Sequence, residues 1–125
     1  MRLTDNLYDI RSFESCDGVV TASVALNPDS VIYKAHFPGH PVTPGVCVMQ
    51  IAVELAAKAL GTPGLRLTGA KNVKFLNVIE PSDGTVVLYR LTVTCDGVSD
   101  VRLSGTASVG DVVCAKLSLT CAAVS

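Results

Sequence analysis

The sequence predicts an α+β domain in which a long antiparallel sheet curls around one buried helix. Three observations carry this. Alternating apolar runs flank a single helical stretch, and Asp-Gly or Gly-Asp pairs separate them at hairpin spacing. The helical stretch, Pro44–Leu60, is apolar almost all round, and such a helix is buried on most of its sides. The chain has 125 residues, which suits one domain and leaves little room for a second. With no solenoid-length repeat, low-complexity tract or linker, residues 1–125 read as a single domain.

Taken in order, Leu7–Ser15 and Val19–Leu26 form a hairpin across Cys16-Asp17-Gly18, because Asp-Gly accepts the positive φ of a tight turn. Val20, Ala22, Val24 and Leu26 share one face of the second strand. Asn27-Pro28-Asp29-Ser30 is a turn cluster. The helix follows, with Thr43 as its cap, Pro44 in its first turn and Gly61 just past its end. Its length of about 17 residues corresponds to roughly 25 Å. Leu65–Ile79, Val86–Cys95, Val98–Val109 and Val112–Cys121 read as strands of an antiparallel meander. Their turns fall at Asp83-Gly84, Asp96-Gly97 and Gly110-Asp111.

Composition narrows the function. The chain is 49% hydrophobic and 17% charged with a net charge of -1, so it is neither disordered nor equipped with a basic nucleic-acid footprint. A valine-rich surface with so little charge points to self-association. No run reaches the roughly 18 apolar residues that a membrane span needs. The polar Met1–Asn6 segment resembles neither a signal nor a transit peptide, which points to the cytoplasm. The five cysteines, at 16, 47, 95, 114 and 121, include no C-x-x-C pair. In a reducing compartment they are expected to be free, mostly buried thiols rather than disulfides or metal ligands.

Two features offer chemistry. Gln50, Glu54 and Lys58 are the long polar side chains of the helix, and their i, i+4, i+8 spacing lines them up in one stripe. Glu54 and Lys58 read equally well as an ordinary solvent-facing pair. Gln50 lies nearest the second feature, the loop His36-Phe37-Pro38-Gly39-His40-Pro41-Val42-Thr43-Pro44-Gly45-Val46. Three prolines stiffen this loop and two glycines permit close backbone approach. It holds His36 near a helix start whose N–H groups, at Gly45 and Val46, face any developing negative charge. A base beside an oxyanion-type donor suits proton abstraction alpha to a carbonyl. A loop histidine is read first as a structural hydrogen-bonder. Pro38, Gly39 and Pro41 also remove the helical geometry that an i, i+4 zinc pair of His36 and His40 requires.

Segment 36–46 closely resembles the H-F-P-G-x-P-V-x-P-G-V signature of the β-hydroxyacyl-acyl-carrier-protein dehydratases of FabZ and FabA type, which are hotdog-fold enzymes. Val73-Lys74-Phe75-Leu76-Asn77-Val78-Ile79-Glu80-Pro81-Ser82-Asp83 is similar to the family's V-K-F-x-x-x-V-x-P-G-D strand, with Ser82 in place of glycine. The resemblance implies a hotdog fold, no cofactor and no metal. It implies substrates on acyl carrier protein or coenzyme A, and a homodimer or dimer-based higher oligomer with an acyl tunnel between subunits. It assigns His36 as the acid/base residue and Gly45 as the N–H donor to the thioester carbonyl, with Phe37 and Val46 beside the substrate. The family's helix carboxylate falls fourteen residues after the histidine, and here that residue is Gln50. The family usually has a glutamine near Glu54, so the two side chains look exchanged.

The function implied is hydro-lyase dehydration of 3-hydroxyacyl thioesters in fatty-acid or polyene-type synthesis. Gln50 cannot ionise but can hold the leaving hydroxyl or a water, and Glu54 is the carboxylate one turn away. The rival reading that Gln50 favours is a hotdog subunit that binds acyl thioesters without turning them over. Thioester hydrolysis or hydration is a second rival, and the H-F-P-G-H-P loop speaks against it.

Overall fold

Asp17 and Gly18 adopt φ values of 50° and 79° in the computed structural model, and the first two strands fold back on each other there. The structure describes residues 7–35, 42–81, 85–97 and 100–123, the side chains of residues 34 and 35 excepted. The elements are β1 (Tyr8–Cys16), β2 (Val19–Leu26), α1 (Val31–Ala35), α2 (Gly45–Leu60) and β3 (Leu65–Ala70). These are followed by β4 (Lys74–Phe75), β5 (Val86–Asp96), β6 (Asp100–Val109) and β7 (Val112–Ala123). All strand pairs are antiparallel. The sheet runs β1-β2-β5-β6-β7-β3, with β4 also on β7. Helix α2 touches β2, β3, β5, β6 and β7 and lies across the concave face of the curved sheet.

The strand alternation places the core. Val20, Ala22, Val24 and Leu26 are all buried, as are Val87, Tyr89 and Leu91 of β5 and Leu117, Leu119 and Cys121 of β7. From α2 they receive Cys47, Val48, Ile51, Ala52, Val53, Leu55 and Ala56. Full burial of one such aliphatic side chain contributes about 1.5–3 kcal/mol. The Tyr89 hydroxyl enters this core and donates to the Val48 carbonyl at 2.9 Å, tying sheet to helix. Gly61 ends α2 in the left-handed conformation, φ 66°, and its N–H reaches the last carbonyls.

Three expectations need correction. Thr43 does not cap α2. Pro44 occupies that position without a side-chain bond, because the Thr43 hydroxyl pairs with Tyr33. A second helix, α1, follows the Asn27–Ser30 turn, where Ser30 Oγ accepts from Ile32 N–H; five residues are too few to show periodicity. The run Leu65–Ile79 is not one strand. It bulges between Leu67 and Gly69 and leaves the β7 ladder at Lys71 and Asn72, whose N–H groups share the Ser118 carbonyl. It then pairs only at Lys74 and Phe75, and Asn77 closes it by donating its side-chain N–H to the Val113 carbonyl. Helix α2 is buried on most of its sides, as expected; Val46 is 59% exposed, and Met49 is half-buried against the edge of the core.

All five cysteines are free. Cys47, Cys114 and Cys121 are buried, while Cys16 and Cys95 are exposed. Burial pushes the Cys121 thiol up to about 11 and raises that of Cys47, which the Glu54 charge raises further. A thiol reacts as thiolate. Iodoacetamide at pH 8 should therefore label Cys16 and Cys95 first and leave the other three until the protein unfolds. Peptide mapping over time checks this, and early labelling of Cys121 would contradict the core assignment.

Candidate active site

The loop exit into α2 is held by two bonds that the sequence pattern does not show. The Tyr33 and Thr43 hydroxyls meet at 2.8 Å in a buried position. Thr43 N–H donates to the Ile79 carbonyl at 2.8 Å. Burial raises the Tyr33 phenol above its ordinary value despite the opposing Thr43 bond, so the hydroxyl stays protonated through the neutral range. Pro44 then starts the helix with its carbonyl accepting from Cys47 and Val48. Among the described residues, the N–H groups of Gly45 and Val46 have no such backbone partner and retain the partial positive charge of a helix start.

Gly45 lets the Phe75 ring lie against the helix end: a Cβ there would stand 2.7 Å from Cζ of Phe75 and would push that half-exposed ring aside. Val42, Thr43, Gly45 and Val48 form one wall of a groove of about 370 Å³, and Phe75–Ile79 form the other. That volume lies within the range of small-ligand sites. Phe75, Leu76 and Val78 are 51%, 50% and 67% exposed, so the groove has an open apolar rim.

Of the residues proposed from sequence, Gly45 lines this groove, while Val46 is exposed and is not part of its wall. His36 and Phe37 lie outside the described residues, as does His40. Gln50 and Glu54 are brought together one turn further along α2. Gln50 Nε2 donates to Glu54 Oε2 at 3.0 Å. The Tyr8 hydroxyl, from the start of β1, donates to Glu54 Oε1 at 2.8 Å. Both groups are partly buried rather than solvent-facing. Glu54 does not form the expected helix pair with Lys58, whose ammonium sits 5.4 Å from the centre of the Phe13 ring. Sequence reasoning missed Tyr8, Tyr33 and the groove wall at 75–79. Tyrosine spacing gives no sign of contacts 46 and 10 residues away, and 75–79 reads as strand.

The curved antiparallel sheet around one long helix defines the hotdog fold. Within that class the chain belongs to the ApeI-like family, whose profile, described as ApeI dehydratase, matches residues 12–103. The chain is 31% identical over 115 residues to a 3-hydroxyacyl-(acyl-carrier-protein) dehydratase FabZ of Rhizorhabdus wittichii, covering 83% of this chain and 70% of that one. A FabZ of a Thermoanaerobacter species is 28% identical over 126 residues, covering 94% and 82%. The dehydratase heterocomplex ApeI:P from Xenorhabdus doucetiae superposes with a TM-score of 0.76 at 18% identity, covering 92% of this chain and 97% of that one.

Proposed function

We propose that the protein eliminates water from 3-hydroxyacyl thioesters borne on acyl carrier protein or coenzyme A, in the cytoplasm, in fatty-acid or polyene-type synthesis. One observation carries the reading: the N–H groups that start α2 adjoin an apolar groove of about 370 Å³, directly after the histidine-bearing signature loop.

In this mechanism His36 takes the C2 proton. The electron pair of the broken C–H bond moves toward the thioester carbonyl, and the N–H groups of Gly45 and Val46 stabilise the charge on its oxygen. As the C2–C3 double bond forms, the C3–O bond breaks. The departing hydroxyl takes the proton back from the His36 imidazolium and leaves as water. Gln50 holds that hydroxyl, and Glu54 lies behind it. Phe37 and the apolar rim accommodate the acyl chain. The exposed Val46, Phe75, Leu76 and Val78 fit a covering subunit, which supports a homodimer or a dimer-based assembly.

Turnover of crotonyl and 3-hydroxyacyl thioesters, followed by the enoyl absorbance, tests the reading. Catalysed interconversion is expected. The neutral amide of Gln50 favours one rival, an acyl-binding subunit without chemistry. Retention of acyl chains with turnover no better than buffer would establish that rival.

A further inference from the structure

Gln50 and Glu54 form a directed pair, and the direction has a chemical consequence. A carboxylate oxygen accepts hydrogen bonds, so the amide meets Glu54 Oε2 with its Nε2, at 3.0 Å. The amide oxygen Oε1 is then on the opposite side of the planar group from that bond. An amide flip would put oxygen against oxygen. Glu54 is itself held, because Tyr8 donates to its other oxygen at 2.8 Å. Tyr8 is almost wholly buried at the start of β1, in register with Leu26, so its ring is fixed by the sheet. The chain of bonds thus runs from a rigid strand through a helix carboxylate to the residue at the family's carboxylate position.

We propose that Tyr8 and Glu54 are positioning residues: together they fix the Gln50 amide so that its Oε1 accepts a hydrogen bond from the substrate's 3-hydroxyl. This rests on the dehydratase reading. It gives Glu54 an orienting role rather than that of a relocated acid. It also explains why a glutamine suits the position, since a carboxylate there would face Glu54 oxygen to oxygen. Tyr8→Phe keeps the ring and removes only the hydroxyl, so Glu54 loses the Tyr8 donor and its hold on the amide loosens.

The test is a double-mutant cycle read in kcat and KM. Tyr8→Phe is expected to lower kcat about tenfold, within the range for coupled neighbours, with KM changed less than about twofold. In a Gln50→Leu background the same substitution should leave kcat unchanged. A purely structural Tyr8 would lower kcat equally in both backgrounds, which overturns the proposal. A second readout does not need activity. The side-chain NH2 resonances of Gln50 in NMR, assigned by their loss in Gln50→Leu, should shift and exchange faster with water in Tyr8→Phe and in Glu54→Gln. Unmoved Gln50 resonances would overturn the positioning role even in an active enzyme. Moved resonances in a protein without turnover would show the chain of bonds but remove the dehydratase reading, and with it the contact to the 3-hydroxyl.

Discussion

His36→Ala is expected to abolish measurable dehydration, a loss of about 10²–10⁴ in rate, the usual contribution of a positioned acid–base group. The chain has two histidines, and a histidine is the side chain that both takes and returns a proton near neutral pH. His36 heads the signature loop, and four residues on, His40 occupies a position where the resembling family tolerates variation. His40→Ala should therefore keep a measurable fraction of the activity. Initial rates on a 3-hydroxyacyl thioester, with circular dichroism as a folding control, compare the two. Equal losses would mean that the loop geometry, and not an imidazole at position 36, limits the reaction. An active His36→Ala variant would remove the acid–base assignment.

Gln50→Glu should raise the rate, by up to the 10²–10⁴ scale of general acid catalysis if the want of a dedicated acid limits turnover. The two carboxyl groups of the variant would stand where an amide N–H now meets Glu54 at 3.0 Å. Like charges at that separation cannot both ionise freely, so the pair retains a proton to higher pH than a lone carboxylic acid. The protonated form is the acid that serves the leaving hydroxyl. The gain in kcat should thus be present below the raised pKa of the pair and be lost as pH rises through it. The double variant Gln50→Glu/Glu54→Gln restores the order of side chains that the resembling family shows, and it should keep the gain without the shifted pH limb. No gain in either variant would mean that proton delivery to the hydroxyl is not limiting.

Local pattern made much of the fold legible. The strand at 19–26 announced its buried face by strict alternation, and the Asp17-Gly18 turn fixed its register with β1 from Cys16 opposite Val19 to Ser12 opposite Ser23; a bulge between Ile10 and Ser12, which the sequence did not announce, then sets Tyr8 opposite Leu26. The end of α2 at Gly61 was equally plain, because a left-handed C-terminal residue is a local requirement. The break in the run 65–79 was hidden, although Gly69 and Asn72 lie within it. Apolar and β-branched residues continue through the run, and its exit from the ladder is set by bonds to Ser118, Cys114 and Val113 on β7.

The site divides in the same way. The sequence by itself determined the helix start that places Gly45 and Val46 and the helical spacing that puts Gln50 and Glu54 on one face, since each depends only on residues a few positions apart. Tertiary structure decided which partners those groups take. Thr43 is claimed by Tyr33 instead of the helix end, Phe75 closes over Gly45, and Glu54 turns from Lys58 to Tyr8 and Gln50. The physical reason is that a buried polar group must find a hydrogen-bond partner. The partner it finds is whatever the packed sheet brings within reach, as Tyr8 reaches Glu54 across 46 residues of chain.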